Sequence, residues 1–214
     1  MGVDTAASIW IVTGSPGSGK STVSRGLAGA LHDAARVAAD DLQAMLVSGA
    51  VWALGEPADE AARQVDLCYR NVGALSANFA RAGFSTVIDC VVPDADHLDR
   101  LLGHLPAVPV SLVVLDPGGS VCRARNAQRP AADRFDFDDH EGLRRSMRSG
   151  FGDRGWWIDT AEQSVERTVH DVVEGAVAGR RGRLDPAGDV GAEPYPCPDP
   201  GAARTERRPR EERP

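Results

Sequence analysis

The chain has 214 residues, enough for one hydrophobic core of ordinary size and marginal for two. With 31 acidic against 24 basic residues its formal charge is −7, which excludes the overall basic balance of proteins that track polyanions. No run approaches the ~18 apolar residues needed to span a bilayer. Aromatic content is only 5 %, so the core has to be built from Ala, Val and Leu.

Residues 8–13 form a short apolar, β-branched run and predict a buried first strand. A glycine-rich loop follows, and then Ser21–Leu31 has helical character. Val37–Ala39 is a second short apolar piece that ends at Asp40-Asp41. Residues 42–56 are mixed, with Met45, Leu46, Val51, Trp52 and Leu54. From Asp59 to Arg81 the apolar residues recur at helical spacing, and Gly83 stops that helix. Phe84–Val92 predicts a strand limited by Pro93, and Asp96–Leu105 a short helix. Val108–Leu115 predicts another buried strand, ended by Asp116-Pro117-Gly118. Residues 120–134 read as an arginine-rich helix and loop, Trp156–Asp159 as the last strand, and Ser164–Val177 as a final amphipathic helix. Strands that are apolar on both sides, alternating with helices, point to a mostly parallel five-stranded sheet covered on both faces.

The composition changes after Gly179. Residues 180–214 carry seven of the fourteen prolines and little that can join a core, so the expected organisation is one domain over 1–179 and a disordered Pro/Arg-rich tail over 180–214. Cys68, Cys90, Cys122 and Cys197 show no C-x-x-C pair and no zinc-site spacing, and read as free thiols in a reducing compartment. The N-terminal apolar run is too short for a signal-peptide core, so the expected location is the cytoplasm.

The strongest chemical signal is residues 14–21, Gly-Ser-Pro-Gly-Ser-Gly-Lys-Ser, which form a complete P-loop between a strand and a helix. Glycine geometry frees successive main-chain N–H groups to point into one concavity at a helix N-terminus, where phosphate oxygens bind. Gly14, Ser15, Pro16, Gly17, Ser18, Gly19 and Thr22 make up the loop and its exit, Lys20 reaches the β- and γ-phosphates, and Ser21 is the expected magnesium ligand. Lys20 is also the only lysine among the 24 basic residues, which fits a site that needs a compact point charge rather than a planar fork.

Three further features surround this motif. Asp89 lies on the Val-Ile-Asp strand, where a carboxylate either holds magnesium or caps the next segment. Asp40 and Asp41, at the end of the second strand, offer a base for an attacking hydroxyl, with Asp40 favoured, or an N-cap for the following helix. Arg125 and Arg129 share one helical face of the 120–134 segment. They form either a lid over the phosphates or a solvated face paired with Asp133, Asp136, Asp138 and Asp139.

Together, the P-loop, the aspartate after the second strand, the Val-Ile-Asp strand, the Arg-x3-Arg segment with its following Asp-Arg, and Trp156–Ala161 resemble the small P-loop kinases over residues 8–178. The nearest resemblance is to chloramphenicol phosphotransferase-like proteins, related to shikimate kinases and zeta toxins. The resemblance implies a three-layer sandwich with an arginine-bearing lid, and the use of ATP and Mg2+. It assigns Asp40 as catalytic base, Arg129 to the ATP phosphates, Arg134 to the adenine and the loop after Asp159 to the border of the base. The three residues before Asp133-Arg134 are an insertion relative to the family pattern, and the doubled Asp40-Asp41 leaves the base ambiguous by one position.

The expected activity is therefore transfer of the ATP γ-phosphate to a hydroxyl of a small molecule, with an antibiotic as the acceptor that the resemblance suggests. Met45, Val51, Trp52 and Leu54 form either an apolar wall for that acceptor or part of the core. The alternatives are a polynucleotide or RNA-end kinase, which the charge of −7 disfavours, and a regulatory ATP-binding module without turnover. A GTPase is disfavoured because its guanine-reading element needs a lysine that the chain lacks.

Overall fold

The computed structural model describes residues 7–131, 134–177 and 182–184. Five strands, β1 (Ile9–Gly14), β2 (Ala34–Ala38), β3 (Ser85–Asp89), β4 (Val110–Leu115) and β5 (Trp156–Ile158), lie in the order β2-β3-β1-β4-β5, and every pairing between them is parallel. The helices are α1 (Lys20–Ala30), α2 (Ala39–Gln43), α3 (Ala58–Arg81), α4 (Ala95–His104), α5 (Gly119–Ala127), α6 (His140–Phe151) and α7 (Val165–Val177). A two-residue strand, β6 (Arg183–Leu184), pairs antiparallel with the start of β4.

Period-two alternation divides the strands between two cores. Ile9 and Ile11 face one side with Ile88, Leu112 and Val114, and pack on α3, α4 and α6 through Val72, Leu98, Leu101, Met147 and Phe151. Trp10 and Val12 face the other side with Val87, Val113 and Leu115, and pack on α1 and α7 through Val23, Leu27 and Val172. Each fully buried Leu or Val contributes roughly 1.5–3 kcal/mol. Both faces of the sheet are therefore covered, which is why the strands carry apolar residues on both sides.

The predicted elements stand with adjusted limits and three corrections. The second strand starts three residues earlier than expected and ends at Ala38, so Asp40 and Asp41 fall in the first turn of α2 rather than on the strand. Helix α6 is absent from the sequence reading: Leu143 is the one apolar side chain between Glu141 and Ser146, and the helix's fully buried residues are only His140, Met147 and Phe151. Its N-cap is Asp139, whose carboxylate accepts from Gly142 N at 2.9 Å. Finally, Leu184, which the sequence assigns to the tail, is 6 % exposed and belongs to the larger core, because β4 offers it a free edge. The rest of the tail and Cys197 lie outside the described residues, whereas Cys68, Cys90 and Cys122 are buried free thiols. Among the described residues no helix is long and apolar enough to cross a membrane.

Candidate active site

In this strand order the chain reverses direction across the sheet at β1, so a crevice opens beyond the carboxyl ends of β1 and its neighbours. The P-loop leaves β1 at that point. Gly17, at φ 84°, sits in the left-handed region and against the Cys122 carbonyl, where a Cβ has no room. Gly19, at φ 99°, is the N-cap of α1 and supplies no side-chain cap, which leaves the first turn's N–H groups for a ligand. Ser18 is buried with no hydrogen-bond partner for its hydroxyl among the described residues. Lys20 Nζ donates to Ser15 O at 3.1 Å, curling back over its own loop. Desolvation pushes the Lys20 pKa below the ordinary lysine value, opposed by the carboxylates of Asp89 and Asp40.

A cavity of about 410 Å³ opens beside this loop. Pro16, Gly17, Gly19, Lys20 and Ser21 line it, and so do Asp40 and Gln43 of α2. Asp40 opens onto the cavity; desolvation raises its pKa above the usual carboxylate range, the Lys20 ammonium pulls it back, and Asp89 pushes it further up. Asp41 points elsewhere: its side chain is 75 % exposed and lies 3.6 Å from Arg36. Neither aspartate caps α2, whose N-cap is Ala38 and which has no side-chain cap hydrogen bond. The geometry thus separates the doubled pair, with one carboxylate at the cavity and one in solvent.

Asp89 closes β3 beside Val12 of β1 and is buried. Its carboxylate accepts from Arg36 at 2.5 Å, a partner on the adjacent strand that the sequence reading does not pair with it. Asp89 is thus paired directly with Arg36, and its carboxylate also acts electrostatically on the Lys20 ammonium.

The arginine segment departs from a single helical face, because α5 ends at Ala127 and Arg129 lies beyond it. Arg125 donates to Ser18 O at 3.3 Å, Thr160 O at 2.8 Å and Ala161 O at 3.4 Å, so its guanidinium ties the P-loop to the loop after β5. Arg129 lines the cavity with its guanidinium 5.7 Å from the Phe135 ring centroid. Arg134 is exposed and its Nε donates to Arg129 O at 2.9 Å. Asn126 holds the returning chain through two bonds with the Phe135 main chain. No ion pair joins these arginines to Asp136, Asp138 or Asp139 among the described residues, and Asp133 lies outside them.

The apolar wall comes from a segment with no place in the core: Met45, Trp52 and Leu54 are 71 %, 53 % and 68 % exposed. Trp52 and Leu54 line the cavity and Met45 does not. Sequence reasoning missed how this segment is held. Gln64 of α3 is buried, donates to Gly49 O at 2.8 Å and accepts from Val51 N at 2.8 Å. A glutamine at a core-facing position of α3 was the available signal. Also missed were Tyr69, Asp94 and His97, which line the cavity from α3 and the start of α4.

A glycine-rich phosphate loop at the switch point of a 2-3-1-4-5 sheet, with an arginine segment over it, defines a small P-loop kinase fold. The chain belongs to the AAA domain family (AAA_33), whose model matches residues 9–153. No curated protein matches the sequence. Among solved structures, an unliganded sugar kinase from Janibacter sp. HTCC2649 is 20 % identical at a TM-score of 0.55, covering 79 % of this chain and 94 % of its own. A gluconokinase from Sinorhizobium meliloti 1021 is 19 % identical at 0.55, covering 81 % and 93 %. The Mycobacterium tuberculosis APS kinase CysC in complex with AMPPNP and APS is 16 % identical at 0.54, covering 79 % and 96 %. At these identities the likeness is one of fold.

Proposed function

We propose that the chain is an ATP-dependent phosphotransferase that moves the γ-phosphate to a hydroxyl of a small molecule, an antibiotic alcohol being the acceptor type the sequence resemblance favours. The observation that carries this reading is that Lys20 and Asp40 open onto one cavity, a phosphate-binding ammonium and a carboxylate of raised pKa side by side. Buried free thiols support a reducing, cytoplasmic setting.

In this reading the loop amides of residues 14–20, Lys20 and the Ser21–Thr22 end of the loop hold the triphosphate. The hard oxygens of Ser21 and Asp89 suit Mg2+, which when bound supplies charge neutralisation between the phosphates. Arg129 faces the cavity and neutralises charge that spreads over the transferred group, and Arg125 keeps the P-loop and the 160–161 loop in register. Asp40 accepts the acceptor's hydroxyl proton as the new O–P bond forms and ADP leaves. Arg134, beside Arg129 on the lid chain, is the candidate contact for the adenine.

The test is Mg2+-dependent nucleotide binding by calorimetry, joined to a screen of hydroxylated small molecules for a mass gain of one phosphate. Lys20→Ala is expected to bind ATP at least tenfold more weakly and to lose transfer with its melting temperature unchanged. A Lys20→Ala protein of full activity overturns the assignment, and phosphate gain on an oligonucleotide end instead of on any small molecule overturns the acceptor class.

A further inference from the structure

Strand β2 carries an arginine among alanines and a valine. Arg36 lies in register with Val87, and Ala38 with Asp89. Period-two alternation therefore puts Arg36 and Asp89 on the sheet face that Trp10, Val12 and Val87 present to α1 and α7. Only 18 % of the Arg36 side chain and 7 % of the Asp89 side chain are exposed. Arg36 Nη2 donates to Asp89 Oδ2 at 2.5 Å, and Nη1 lies 3.6 Å from Asp41 Oδ2. Arg36 Nε is buried with no hydrogen-bond partner among the described residues. A largely buried ion pair that leaves one N–H unpaired is a weak stabilising device, because lost hydration offsets the attraction. Its position beside the phosphate loop offers a better reason for it.

Lys20 opens α1 on that same face of the sheet and lines the cavity. It makes no ion pair among the described residues, and its Nζ donates only to the neutral Ser15 O at 3.1 Å. Burial lowers its pKa, and of the charges that oppose burial the Asp89 carboxylate acts most strongly, ahead of Asp40. Two cations thus answer to one buried carboxylate, and Arg36 holds it by the direct bond. Without Arg36, Asp89 would be an unpaired buried charge, and Lys20 would be the cation left to pair with it. An ammonium engaged in that way is withdrawn from a phosphate.

We propose that Arg36 is a positioning residue for nucleotide binding: by holding Asp89 Oδ2 it keeps that carboxylate from capturing the Lys20 ammonium, which is left free to turn to the phosphates. This rests on the phosphotransfer reading, since it takes a nucleotide's phosphates as what Lys20 binds. It gives a task to a side chain that is not part of the cavity wall.

Binding of AMPPNP to the full chain is measured by calorimetry in EDTA, so that Mg2+, and any part Asp89 has in holding it, do not enter. Arg36→Met is expected to weaken binding roughly tenfold. Arg36→Gln, which keeps a donor beside Asp89 and removes the charge, is expected to act in the same direction, and it carries the comparison if Arg36→Met does not fold. The cause is read from two double-mutant cycles. In Asp89→Asn protein no carboxylate is left to capture Lys20, and in Lys20→Ala protein no ammonium is left to be captured. Adding the Arg36 substitution to either is expected to change affinity by no more than about twofold. General loss of structure, or the mere loss of one positive charge, would weaken binding by the same factor in all three backgrounds, and that result overturns the proposal. Unchanged affinity in both single Arg36 variants overturns it too, as does binding by the parent protein only when Mg2+ is present, since Lys20 would then not hold the phosphates by itself. Absence of AMPPNP binding with and without Mg2+ instead overturns the phosphotransfer reading, so the two failures are distinguishable.

Discussion

At the scale of single residues, the doubled aspartate shows how a position one residue along changes chemistry. Both side chains leave the first turn of α2, where successive residues are rotated by about 100°. Asp40 therefore opens onto the cavity while Asp41 meets Arg36 in solvent. Asp40→Asn is expected to keep AMPPNP binding and to lower turnover by about 10²–10⁴-fold, the range for removal of a general base, whereas Asp41→Asn stays within about twofold. The pH dependence follows from the same carboxyl. Desolvation raises its pKa, so protonation sets in at higher pH than for an ordinary aspartate, and activity falls as pH drops through that raised value. A rate–pH profile of the parent protein should show an acidic limb above the usual carboxylate range. The residual activity of Asp40→Asn should lack it, and a persistent limb would remove Asp40 from the role of base.

At the scale of elements, two segments that carry the cavity are held by unusual means. The 49–54 segment is anchored by the amide of Gln64, which replaces the hydrogen bonds that a regular element would have provided. Gln64→Leu should loosen Trp52 and Leu54, raising the KM for the acceptor several-fold while leaving the KM for ATP unchanged. Equal effects on both would show that Gln64 serves the fold at large. Helix α6 begins with His140, which is 1 % exposed and has no hydrogen-bond partner for either ring nitrogen among the described residues. Burial lowers its pKa, Arg123 adds to the effect, and Asp138, the Phe137 main chain and Glu141 oppose it. Because the folded value lies below that of the unfolded chain, the unfolded state takes up the proton first. Stability should therefore be lost as pH falls below about 6.5. Melting temperatures between pH 7.5 and 5.5 should drop less for His140→Phe than for the parent protein, and parallel curves would exclude this site as the cause.

At the scale of the whole molecule, the sheet gains a sixth strand from a stretch whose composition announces no structure. Leu184 fills the larger core beside Val110, and Arg183 pairs with Ser111. Leu184→Ala should cost about 2 kcal/mol or more in urea unfolding, as for other buried leucines, with AMPPNP affinity unchanged because β6 sits at the start of β4, away from the carboxyl ends. A change below ~0.5 kcal/mol would mean that the pairing contributes nothing to the fold.

The P-loop, the five parallel strands and the two-sided burial were legible in the amino-acid order, because backbone freedom at glycine and short continuous apolar runs are local properties of the sequence. What only the tertiary structure decided is which side chains share a space. Arg36 with Asp89, Gln64 with Gly49 and Val51, and Arg125 with Thr160 are separated by 53, 13 to 15 and 35 residues, and such partners depend on how elements pack rather than on spacing along the chain. Helix α6 and strand β6 belong to the same class. Each is weakly marked along the chain and exists because a neighbouring surface, the Asp116 carboxylate held by Arg144 and Arg148 in one case and the open edge of β4 in the other, completes it.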